Sequence, residues 1–211
     1  MNFFAHALVA SWRSPSPAYA LGAMLPDLAG MVGTRTPAVE HAELAAGVEL
    51  HHATDRAFHS LPVFVAAMGE IQRRLMTLGF GRGPAAGAAH VGFELCLDGA
   101  LLDEPRAIAH YLAALEAARG DLRAAIPWPD DDCTARWHAL VDRLAAWGPP
   151  HRYRDLDLVA TRIERALAGR QRLALAAGET DLLRQEMSDI AARATAAAPG
   201  ILRALRAELL P

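Results

Sequence analysis

Apolar residues recur at three- and four-residue intervals along most of the chain, and no β-branched run alternates over more than a few positions. The pattern predicts helices near 2–12, 16–25, 37–60, 62–78, 84–101, 104–118, 133–147, 155–170 and 180–209, the last open to interruption at Pro199-Gly200. Local punctuation supports several of these ends. Thr36-Pro37 reads as an N-cap followed by a proline at the first helical position, where no donor is lost. Pro62 ends or kinks the third helix, "LGFGRGP" (78–84) is a glycine-rich break, and Asp132 in "IPWPDDDC" (126–133) is placed to cap the next helix. The segment "WGPPHRYRD" (147–155) is another turn. With no internal repeat and no long linker, the expectation is an all-α fold in a single multi-helix domain spanning 1–211. Its amphipathic C-terminal segment, from about 177 to 211, would pack on the rest through Leu183, Met187, Ile190, Ile201, Leu202 and Leu205, or offer that face to a partner.

Two predicted helices break the apolar pattern in the same way. In "AAHVGFELCLDGALL" (88–102), His90, Glu94 and Asp98 fall four apart on an otherwise apolar cylinder, and a helix apolar nearly all round should be buried. In "ELAAGVELHHATDRAFHSLP" (43–62), the apolar stripe through Leu44 and Val48 continues into His51 and Asp55, with His59 one turn further. His52 and Arg56 lie off that stripe, towards solvent. Taking a carboxylate out of water is expensive unless a cation or strong donors accompany it. Inward ladders of imidazole and carboxylate are therefore candidate metal ligands. Two further candidates come from the N-terminal region, His6 inside "FFAHALVA" and Asp27 after "LGAMLP". The set is His6, Asp27, His51, Asp55, His59, His90 and Glu94, with Asp98 peripheral. Nitrogen and oxygen donors without thiolates favour manganese, iron, zinc or magnesium. The competing reading of each ladder is a buried ion-pair network with arginine.

Composition narrows the classes. The chain of 211 residues is 53% hydrophobic and 21% charged with a formal net charge of −3, so nothing global points to nucleic acid or membrane. All 21 basic residues are arginine, which, with the abundant alanine, reads as a compositional bias of the source. Cys96 and Cys133 have no metal-pair spacing and read as reduced core thiols. The opening "MNFFAHALVASWRSPSP" lacks a basic leader and carries His6 in its middle, so a cytoplasmic protein is expected.

"MNFFAHALVA", "GAMLPD" (22–27), "GVELHHATD" (47–55) and "HRYRDLDLVATRIERALAGRQRL" (151–173) together resemble the bacterial acyl carrier protein phosphodiesterases, which belong with the helical HD-type metal-dependent phosphohydrolases. The similarity runs in order from residue 1 to about 173. It implies an HD-domain-like helical bundle, a divalent cation (manganese by resemblance), and hydrolysis of the phosphodiester joining 4′-phosphopantetheine to a serine of acyl carrier protein. His6, Asp27, His51 and Asp55 match positions associated with the metal site. The chain departs from the family in having His59 where a second aspartate is usual, and His90, Glu94 and Leu95 where an Asp-x-x-x-Asp-His run is usual. On this reading His51, Asp55, His59, His90 and Glu94 are candidate ligands, Asp27 a ligand or water-orienting base, and His6 a ligand or proton donor. Arg152, Arg154, Arg162, Arg165 and Arg170 form a candidate surface for an acidic carrier protein. The alternatives are a phosphohydrolase acting on another small phosphate ester or nucleotide, and a non-catalytic helical binding protein.

Overall fold

Every regular element is helical in the computed structural model, which describes residues 1–210, and no strand occurs among them. The chain divides into two compact units: Met1–Arg56 with Leu102–Pro150, and Ala57–Leu101 with His151–Leu209.

The first unit is built from α1 (Phe3–Ser11), α2 (Pro17–Met31), the first four turns of α3 (Ala42–Ser60), α6 (Pro105–Arg119) and α7 (Asp131–Trp147). Every residue from Phe3 to Ala10 is buried, because α1 packs on both α2 and α6. Phe3 and Phe4 meet Tyr111 of α6 with ring centroids 5.8 and 5.6 Å apart. At about 1.5–3 kcal/mol for each fully buried large side chain, this wrapping explains how a nine-residue helix tolerates a polar residue, His6, at its centre.

The predicted second helix stops too early: α2 runs through Pro26 to Met31, so Asp27 lies inside the helix rather than at its end. An interior proline costs about 3 kcal/mol, and the fully buried Leu25, Leu28 and Ala29 offset it by packing. The predicted start of α3 is also corrected. Thr36-Pro37 caps nothing, and the helix begins at Ala42, just ahead of Leu44, its first buried side chain. Residues 37–43 carry no buried side chain, so a helix there would have no face to pack. Asp130, not Asp132, caps α7, accepting from the Cys133 amide at 2.6 Å.

Helices α2 and α3 cross at a pair of glycines. A Cβ on Gly22 would sit 2.2 Å from the Leu44 carbonyl oxygen, and one on Gly47 would sit 2.3 Å from the Tyr19 carbonyl oxygen. Ser16, which caps α2, also donates its hydroxyl to Glu43 of α3.

The second unit centres on α5 (Arg82–Ala100), which packs on α4 (Pro62–Thr77), α8 (Leu156–Ala168), α9 (Glu179–Leu209) and the 3-10 turn His151–Arg154. Helix α9 passes Pro199 without a break, held by the buried Ala194, Ala197, Ala198, Ile201 and Leu205 on either side. Leu183, Met187 and Ile190 are buried as expected, while Leu202 is half-buried. Glu179 joins two helix starts: its carboxylate accepts from the Gly81 amide at 3.0 Å and the Ala176 amide at 2.6 Å. The stretch Arg82–Asp103 is long and apolar enough by composition to cross a membrane, but 72% of its apolar window is buried inside the protein.

Candidate functional site

In the first unit His6, Asp27 and His51 each offer a ligand atom, and these atoms all lie within 4.8 Å of one another. Asp55 completes the group. His6 Nε2 is 3.2 Å from Asp55 Oδ1 and 3.9 Å from Asp27 Oδ2, and His51 Nε2 is 3.5 Å from Asp55 Oδ2. The two imidazoles stack with centroids 3.9 Å apart. Local structure fixes these positions: α1 buries His6 by packing all round, α2 continues past its proline to carry Asp27, and α3 puts His51 and Asp55 one turn apart on one face.

Backbone chemistry then orients His51. Its Nδ1 lies 2.9 Å from the Ala23 carbonyl, so it donates there and turns Nε2 towards Asp55. In the neutral ring that Nε2 lone pair would face a carboxylate, a repulsive arrangement which a proton or a cation relieves. Burial works against charge on His51, yet Asp55, Asp27 and the Ala23 carbonyl together raise its pKa. Asp55 is likewise opposed by burial, but His51, His6 and the Met1 ammonium hold its carboxyl well below the usual range. His6 differs. Complete burial, opposed only in part by Asp55, lowers its pKa to about 3, so it stays neutral with a lone pair to give. Both of its ring nitrogens are buried without an aligned hydrogen bond.

The donor set is thus two imidazoles and two carboxylates around a buried nitrogen that makes no aligned hydrogen bond, which fits a divalent cation of the borderline class. Two contributors were not legible in the sequence: the Ala23 carbonyl, and the Met1 α-amino group, which donates to Asp55 Oδ1 at 2.8 Å. Neither a backbone carbonyl nor a chain end leaves a side-chain signal.

In the second unit His59, His90 and Glu94 form another group whose ligand atoms lie within 4.8 Å of one another. Glu94 Oε1 is 3.2 Å from His59 Nε2 and 3.0 Å from His90 Nε2, and the two rings stack 5.1 Å apart. Burial opposes ionisation of Glu94, but the two imidazole contacts outweigh it and hold the carboxyl below its ordinary value. Asp98, a turn further along α5, is fully buried.

The predicted arginine surface is mixed. Arg152, Arg165 and Arg170 are exposed. Arg154 Nε donates to the Gly99 carbonyl at 3.1 Å, and the Arg162 guanidinium lies 4.8 Å over the Tyr153 ring. Two of the five therefore also hold the 3-10 turn against its neighbours. No family model, curated protein or solved structure matches the chain.

Proposed function

We propose that the protein is a metal-dependent phosphodiester hydrolase whose working centre is His6, Asp27, His51 and Asp55. One observation carries this reading: a fully buried, neutral histidine with no aligned hydrogen bond sits among two carboxylates and a second imidazole. His6 Nε2 lies 3.2 Å from Asp55 Oδ1 without being aligned to it, a geometry that leaves its lone pair open to an ion. A divalent cation held there supplies Lewis acidity and an activated water.

The chain's own groups divide the remaining work. His51, fixed by the Ala23 carbonyl, presents Nε2. Asp55 stays ionised at physiological pH and supplies the negative charge. Of the two roles open to His6, its neutrality favours ligand over proton donor. Asp27, with its side chain 26% exposed, is the acid placed to reach solvent and to orient or deprotonate a water. His59, His90 and Glu94 are proposed as a second ligand group in the other unit. The finer reading is a substrate joined to an acidic carrier protein, for which the exposed Arg152, Arg165 and Arg170 would supply long-range attraction. An HD-like helical arrangement and a cytoplasmic location belong to the same proposal.

The test is elemental analysis of untagged protein, followed by hydrolysis of bis(4-nitrophenyl) phosphate with manganese, iron or zinc. Wild type should retain a divalent metal and turn over, and Asp55→Ala should lose both while keeping its helical circular dichroism. Full activity in Asp55→Ala, or wild type that takes up no divalent ion, overturns the assignment.

A further inference from the structure

The first unit also contains a cavity of about 720 Å³ on a different face of α3, bounded by the first turn of α2 and by Arg13 just beyond α1. That volume suits a nucleotide-sized ligand. Its polar lining is Arg13, Tyr19, Glu49, His52 and Arg56. Elsewhere on the surface some guanidiniums are paired directly: Arg74 with Glu186, Arg119 with Asp142, Arg184 with Asp181, Arg193 with Asp189. Like many of the chain's arginines, Arg13 and Arg56 take part in no ion pair among the described residues, and both line this one cavity. Two unpaired guanidiniums against a single acid, Glu49, leave the cavity with an excess of positive charge in a protein of net charge −3.

The cavity wall touches the centre. His52 meets the His51 ring edge-on, with centroids 5.4 Å apart and planes at 90°. A ligand in the cavity therefore lies beside the residue row that carries His51 and Asp55. Burial pushes the Tyr19 phenol up, against the pull of Arg13 and with the help of Glu49, so Tyr19 remains a protonated donor.

We propose that this cavity is a phosphate-recognition pocket, in which Arg13 and Arg56 grip a terminal phosphate of the substrate while the scissile diester lies at the neighbouring His6–Asp27–His51–Asp55 group. Guanidinium forks match phosphate oxygens in pairs, and a hydroxyl donor from Tyr19 adds a third contact. Glu49 is left to accept from a hydroxyl or amine of the ligand. Within the hydrolase reading the pocket fits the alternative to a carrier-linked substrate: a small ester bearing two phosphate groups, one a diester and one a monoester. The pocket's role as a subsite rests on the hydrolase reading, whereas its affinity for phosphate does not.

The experiment uses the full chain stripped of metal with a chelator, titrated at low salt by calorimetry with inorganic phosphate and then with phenyl phosphate. Wild type should bind both saturably, and Arg13→Gln/Arg56→Gln should bind them more weakly by about tenfold or more. Both arginines are exposed, and circular dichroism confirms folding; the single Arg56→Gln variant, with an intermediate loss, serves if the double one unfolds. No binding by wild type, equal binding by the variants, or binding that appears only when metal is restored overturns the proposal. The last outcome places the anion at the metal group instead. Loss of the hydrolase reading alone, with no metal and no turnover, leaves the chelated titration unchanged.

Discussion

A histidine that is 1% exposed and lacks an aligned hydrogen bond at either nitrogen is costly to keep. His6 therefore has a measurable pH signature. Its folded pKa, about 3, lies below the unfolded value of 6.5, so its contribution is complete above 6.5 and is lost as the pH falls towards 3. His51 runs oppositely: its raised pKa gives a contribution complete below 6.5 and lost as the pH rises through the raised value. Asp55, depressed, has its full contribution above the ordinary carboxylate range and loses it as the pH falls through that range towards the lowered value. In urea titrations of metal-stripped protein between pH 7 and pH 4, wild type should lose stability more steeply than His6→Gln. Parallel profiles would contradict the buried-neutral assignment. Burial also pushes the Cys96 thiol up to about 12, so Cys96 should resist a thiol reagent at pH 8 until denaturant is added. The sequence flagged His6, His51 and Asp55 because polar residues interrupt apolar stripes, and Asp27 for its place after "LGAMLP". It could not reveal which nitrogen of His51 is presented, since a main-chain carbonyl decides that.

At the scale of elements, the glycine contact between α2 and α3 holds His51 against Ala23. Gly47→Ala would press a methyl onto the Tyr19 carbonyl and the Gly22 backbone. Overpacking of this kind costs about 1–3 kcal/mol, and because the helices must part, metal affinity should fall with stability. Unchanged metal uptake in Gly47→Ala would show that the crossing does not set the site. In the second unit, Glu179→Ala leaves the Gly81 and Ala176 amides without their carboxylate, and the urea midpoint should drop by the equivalent of about 1.5–3 kcal/mol. Helix existence was legible from periodicity in every case. The start of α8 was legible to within a residue, where Asp155 accepts from the Leu158 amide, whereas at α7 three consecutive aspartates hid which of them caps. Helix ends were not legible where packing overrides local preference, as at Pro26 and Pro199, or where a favourable Thr-Pro start has nothing to pack against.

For the molecule as a whole, the order of the chain matters more than its composition. Each unit is assembled from two separated stretches, so no single cut releases either one. A fragment of residues 1–101 holds α1 and α2 without α6, and α5 without α8 and α9. It should show no cooperative thermal transition, and a sharp transition would mean that the local helix pairs suffice. The arginine surface is likewise testable on the intact protein. Arg165→Glu/Arg170→Glu should slow association with an acidic carrier protein at low salt and leave hydrolysis of a small diester unaltered. An identical association rate removes the steering role.

The pairing of α1 with α6 sets a timetable during synthesis. The most uniformly apolar helix is made well before Tyr111, its aromatic partner, which follows about a hundred residues later, roughly 5–20 s at ~5–20 residues per second. Until then Phe3, Phe4 and Leu8 have no α6 to cover them, so the apolar face of α1 stays open for that interval.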